Sequence, residues 1–135
     1  MYHNILVPIS FDAERDVSGP LKLAQLLATP EARVTLLHVV EHIPAYAISY
    51  MPTDYLAEAR KALKKELDAL AAQLPNATGV LIEGHSGRSI LDWAETNNPD
   101  LIIISSHRPG MQDLLLGSTA TQVVRHAQCA VHVVR

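Results

Sequence analysis

Five short apolar runs constrain this chain more than any other feature. They are Ile5-Leu6-Val7, residues 34–40, residues 79–83, residues 101–104 and residues 131–134. Each is rich in β-branched residues and nearly continuous, where a half-exposed strand would alternate apolar with polar. Continuous runs of this length suit strands buried on both faces. The stretches between them have the length and period of helices, so strand and helix alternate. A strand that returns beside its predecessor through a helix must run parallel to it. Such crossovers are right-handed in about 98% of cases. The expectation is an α/β chain: an open five-stranded parallel sheet, Rossmann-like, with strand order 3-2-1-4-5 and helices on both faces.

The intervening segments carry their own signals. Residues 14–28 read as helix, with Val17, Leu21, Ala24 and Leu27 on one face. Pro20 would sit badly inside that helix and implies a late start or a bend. Thr29-Pro30 reads as its stop. Residues 41–52 read as a long loop with His42, Pro44, Tyr46, Tyr50 and Pro52, suited either to a lid or interface or to plain solvent. Residues 54–74 form the clearest helix. Leu56, Leu63 and Leu70 recur every seven residues, with Ala59, Leu67 and Leu74 between them. Arg60, Lys64, Lys65 and Asp68 lie off that stripe as a solvated face. Gly84-His85-Ser86-Gly87 reads as a turn into a helix over 88–97, and a last helix is expected over 119–127.

Bulk properties exclude several function classes. The chain has 135 residues, 48% of them hydrophobic and 19% charged, which suits one domain over residues 1–135. Its formal net charge of -3, with no basic run, argues against a nucleic-acid polymer as partner. No apolar stretch reaches the roughly 20 residues needed for membrane insertion as a helix. No leader pattern is visible, so a cytoplasmic location is expected. The one cysteine, Cys129, excludes an internal disulfide and reads as packed rather than reactive. The seven histidines form no helical metal pair, so no metal site is expected, and His38 reads as a satisfied core histidine. There is no Gly-x-Ser-x-Gly elbow and no Walker-type Gly-Lys-Ser/Thr, so no catalytic residue is assigned.

Ligands of open parallel sheets bind beyond the carboxyl ends of the strands, where strand order reverses. Here that point lies between strands 1 and 4, whose ends are Pro8-Ile9-Ser10 and Ile104-Ser105-Ser106. After strand 4 come a polar segment with His107, Arg108 and Gly110 and then a Gly117-Ser118-Thr119 step into a helix. Free N–H groups and the dipole at a helix start favour an anion. Ser118 and Thr119 hydroxyls can donate to phosphate oxygens, and Arg108 can add a guanidinium fork. Ser10 and Asp12 suit a sugar or base, or Asp12 a metal ion bound through phosphate. The bland alternatives are a plain N-cap at Ser118 and a surface arginine at Arg108.

At this point the chain resembles the universal stress protein family. The resemblance rests on Met1-Tyr2, Ile5-Leu6-Val7-Pro8, Leu36-Leu37-His38-Val39 and Glu83-Gly84. It continues through Ile102-Ile103-Ile104-Ser105-Ser106-His107-Arg108-Pro109 and Leu115-Leu116-Gly117-Ser118. It ends with Val123-Val124-Arg125-His126-Ala127, Cys129 and Val133-Val134-Arg135. The Ser-His-Arg-Pro and Arg-His-Ala-x-Cys pieces resemble the UspF/UspG branch. The resemblance implies an adenine nucleotide, ATP or AMP, with Mg as a further candidate, and a role as a stress sensor or adaptor. It also implies an adenine pocket at Val39, Ile9 and Ile104 and a homodimer through the last strand, residues 131–134. The family's ATP-binding pattern, Gly-x2-Gly-x9-Gly-Ser/Thr, keeps only Gly117 and Ser118 here. Ser105 and Arg108 stand for the first two glycines, and Ser10 stands where an aspartate is common. Turnover is expected to be at most slow ATP hydrolysis or autophosphorylation. A competing expectation is a nucleotide-free homodimeric adaptor that binds a protein partner through residues 41–52. An enzyme acting on a small phosphorylated substrate would have Asp12 as its nearest base.

Overall fold

The computed structural model describes residues 1–11, 17–106 and 117–135. The strands are β1 (Tyr2–Pro8), β2 (Ala28–Val40), β3 (Ala77–Glu83), β4 (Leu101–Ser105) and β5 (Ala130–Val134). The helices are α1 (Ser18–Leu27), α2 (Ala45–Ile48), α3 (Tyr55–Ala71), α4 (Ser86–Asn97) and α5 (Ser118–His126). All strand pairings are parallel, as the alternation of apolar runs and helices requires, and the sheet order is the expected β3-β2-β1-β4-β5.

Side-chain alternation along the strands divides the core in two. Ile5 and Val7 of β1 join Val34, Leu36, Leu101 and Ile103 on one face, covered by Leu21 and Ala24 of α1 and Leu67 and Ala71 of α3. Leu6 joins Leu37, Ile102 and Ile104 on the other face, covered by Ile90 of α4 and Ala120 and Val123 of α5. Each large side chain fully buried in these layers contributes about 1.5–3 kcal/mol. The expected stripe on α3 is the face that packs. It comes close at Gly79 of β3, where an added Cβ would lie 2.9 Å from Leu67 Cγ.

The element bounds differ from expectation in ways with clear causes. α1 begins at Ser18, and residues 14–16 lie outside the described residues. Pro20 is therefore in the first turn, where its missing N–H would have had no helical acceptor. β2 starts at Ala28, six residues earlier than expected. Thr29-Pro30 ends the helix but not the strand: the β1–β2 register shifts between Tyr2 and Asn4, and this irregularity takes up the proline. Residues 41–52 contain one helical turn, α2, started by the Pro44 carbonyl accepting from Ala47 N at 3.0 Å. Arg60 is not simply solvated. Its guanidinium reaches Glu83 Oε1 at 2.7 Å, tying α3 to the end of β3, and His42 Nδ1 lies 3.5 Å from the same oxygen. Both partners of the Arg60 pair are substantially exposed, so it is worth at most about 1 kcal/mol.

The amino-end pole of the sheet is closed by Asp100. Its carboxylate accepts from His3 N at 2.8 Å and Asn4 N at 3.0 Å. Partial burial pulls its pKa upward, but the backbone N–H bonds and the charge of His3 outweigh that and leave it below the usual carboxylate value. Among the described residues the carboxyl-end pole holds a cavity.

Candidate functional site

A cavity of about 430 Å³ opens at the carboxyl ends of β1, β2 and β4. Pro8, Ile9 and Ser10 line it from the end of β1, and Ile104, Ser105 and Ser106 from the end of β4. Val39 enters from β2, and Gly117, Ser118 and Thr119 from the start of α5. Ten residues expected from sequence are thus on one cavity. Asp12, His107, Arg108 and Gly110 lie outside the described residues.

The start of α5 is fastened to the end of β4 through the backbone. Gly117 N donates to Ser106 O at 2.5 Å, while Ser106 N donates to Val134 O at 2.8 Å. Ser106 is buried at 2% exposure, so this junction is structural as well as part of the wall. One consequence is that the Gly117 N–H is not available to a ligand. The next two are different. Among the described residues, no backbone carbonyl accepts from Ser118 or Thr119 N–H. Gly117 has φ -64 and ψ 160, and no side chain caps the helix. The plain N-cap alternative for Ser118 does not hold, since Ser118 is the first helical residue and Gly117 holds the cap position. Two amides and the hydroxyls of Ser118 and Thr119 therefore stand at a positive helix end.

Sequence reasoning missed Leu37, His38, Glu41, Ser86, Ile90 and Ala120, which complete the lining. Ser86 brings a second helix start, that of α4, to the same cavity. The two helices lie close, since an added Cβ at Gly87 would come within 2.8 Å of Gln122 Cδ. Ser86 Oγ donates to Glu41 Oε1 at 3.3 Å, joining the end of β2 to α4. The turn before Ser86 depends on Gly84, whose φ of 151 a side chain rarely adopts. His38 does pack as a satisfied histidine. Its Nδ1 lies 2.7 Å from Ile9 O, so Nδ1 carries the proton, and its ring meets Phe11 edge-on at 4.9 Å. That bond holds the Ile9-Ser10 wall in place. Among the described lining residues Glu41 is the one carboxylate, and there is no lysine or arginine.

The arrangement offers anion-binding amides at one end, apolar walls of Ile9, Val39 and Ile104, and a carboxylate at the other end. No group of three or more metal-ligating side chains occurs among the described residues. None of the described helices is long and apolar enough to cross a membrane. A second hollow of about 510 Å³ runs along α4 and α5 and reaches Pro99 and Cys129, just before β4 and β5, away from the carboxyl ends of the strands. Cys129 lies on it, half-buried, and burial followed by the Asp100 charge pushes its thiol pKa up.

Comparison with known proteins follows the same lines. Universal stress protein A homolog 2 of Coxiella burnetii is 34% identical over 140 residues, covering 99% of this chain and 95% of the relative. Universal stress protein G of Escherichia coli O157:H7 is 25% identical over 142 residues, covering both chains fully. The solved structure of the universal stress protein UspA from Lactobacillus plantarum matches with a TM-score of 0.71 at 29% identity, over 99% of this chain and 98% of that one. A universal stress protein family protein from Arabidopsis thaliana, solved with AMP bound, shares the fold with a TM-score of 0.64 at 15% identity, over 98% of this chain and 90% of that one. The model of the universal stress protein family matches residues 1–135, and the chain belongs to that family.

Proposed function

We propose that this protein binds an adenine nucleotide, ATP or AMP, in the cavity at the carboxyl ends of β1, β2 and β4, and acts as a stress-response sensor or adaptor. The observation that carries the reading is the pair of amides at Ser118 and Thr119, unengaged among the described residues and lining a cavity of nucleotide size. The phosphate meets those amides and the two hydroxyls. The base lies against Val39, Ile9 and Ile104. Ser10, on the same cavity, meets the ribose. Proteins of the same fold have been solved with AMP, dAMP and cAMP, which supports a nucleotide monophosphate as the common element. ATP would need more cationic charge than the described lining supplies, from Arg108 or from Mg carried with the phosphates.

Association through β5 is part of the same proposal. β5 ends the sheet order, so one flank of its backbone has no strand partner among the described residues and is a template for a second copy. A cytoplasmic location is proposed with it. The adaptor reading without nucleotide is favoured by one observation: α2 and its flank expose Tyr46 at 76% and Tyr50 at 89%, a surface suited to a protein partner.

Denaturing the purified protein and identifying any released small molecule by mass tests the first reading, with titration calorimetry of AMP and ATP beside it. An adenine nucleotide released, or heat of binding, supports it. Neither would transfer the case to the adaptor.

A further inference from the structure

The cavity has a direction. At the α5 end it presents N–H groups and hydroxyls, which donate. Across β1, at the β2 end, it presents the Glu41 carboxylate, which accepts. β2 and β4 flank β1, so these ends are about 10 Å apart at the level of the sheet. A ligand that satisfies both carries an anion at one end and an N–H donor at the other.

We infer that Glu41 is a specificity-determining residue that accepts from the exocyclic amino group of a 6-aminopurine and rejects a 6-keto purine. This rests on the nucleotide reading above and names the base it selects. Three features of the structure support it. Glu41 lies on the same rim as Val39, one of the walls against which the base is placed. Its Oε1 is held by the Ser86 hydroxyl at 3.3 Å, and among the described residues its Oε2 has no hydrogen-bond partner. Ser86 opens α4, so the carboxylate it holds lies beside a helix start. A carboxylate has acceptors only. Facing an amino group it gains a charge-assisted hydrogen bond; facing a keto oxygen it meets a second acceptor and repels it. A carboxylate in a cavity for a phosphorylated ligand is otherwise a cost, because it opposes the phosphate charge. Ser86 acts as a positioning residue for it.

The test is binding of AMP, IMP and dAMP to the full chain and to E41Q; IMP carries a keto oxygen at purine position 6 and a proton on N1, where AMP has an amino group and a bare nitrogen. The wild type prefers AMP by about tenfold or more. Gln offers both a donor and an acceptor, so E41Q brings the two affinities within about twofold. S86A leaves a smaller preference than the wild type, while thermal unfolding stays unchanged for both variants. Several results would overturn the inference. E41Q retaining the full preference removes Glu41 as the reader of the base. Equal tightening of both ligands makes it a general negative charge only. Loss of a preference for AMP over dAMP, with the AMP/IMP ratio intact, assigns it to the sugar. AMP and IMP both failing to bind the wild type defeats the nucleotide reading itself, and is distinguishable from the other three.

Discussion

Replacing Ser118 by proline isolates the backbone amide on which the proposed phosphate site depends. Ser118 is the first residue of α5, the position at which proline is best tolerated in a helix. The residue before a proline must be extended, and Gly117 already is, at φ -64 and ψ 160. Ser118 is exposed, so the ring has room, and its N–H has no acceptor among the described residues. The substitution therefore removes one donor without breaking a described backbone bond. Stability should change by less than about 1 kcal/mol, with restriction of the unfolded chain contributing about 0.4–1 kcal/mol in favour. Binding should suffer far more. A hydrogen bond to a charged group is worth about 1.5–3 kcal/mol, so AMP affinity should fall roughly tenfold to hundredfold. S118A, which keeps the amide and deletes the hydroxyl, should lose less. Calorimetric titration with AMP and urea unfolding of the three proteins decide the matter. Unchanged AMP affinity in S118P would show that the amide does not meet the phosphate. A stability loss above about 2 kcal/mol would show that it was already engaged by the protein.

Further expectations concern the scaffold. G84A should destabilise by about 1–3 kcal/mol from backbone strain at φ 151, with more from the collision of its Cβ with Ser89 Oγ. G84A/S89A should recover only the collision part, as read by urea midpoints. L67A, at a side chain fully buried between α3 and the sheet, should cost about 2–5 kcal/mol; a loss under 1 would mean that α3 is loosely seated. Asp100 has a depressed pKa in the folded state, so its contribution is present above the unfolded carboxylate value and lost as pH falls through the folded one. Urea unfolding between about pH 2 and 5 should therefore lose stability more steeply in the wild type than in D100N, which is already weaker at neutral pH.

The sheet was legible because burial leaves a local mark. Continuous apolar runs at Ile5-Leu6-Val7 and at residues 101–104 suit strands covered twice, and the helical lengths between them favour parallel pairing. With strand 1 taken as the centre, the switch point followed, and with it ten residues that do share one cavity. The late start of α1 agrees with the reading of Pro20, while the misjudged start of β2 traces to Pro30, whose effect depends on whether an N–H is needed there, a question of partners and not of residue type.

Sequence alone determined which residues are buried and in what order strands and helices come, because periodicity and composition act over a few neighbouring positions. Tertiary structure alone decided that Ser86 meets Glu41, 45 residues away, that Ser106 takes the Gly117 N–H and leaves those of Ser118 and Thr119, and that the cavity has a donor end and an acceptor end. Hydrogen bonds between distant segments depend on where the backbone places both partners, and no local pattern records that.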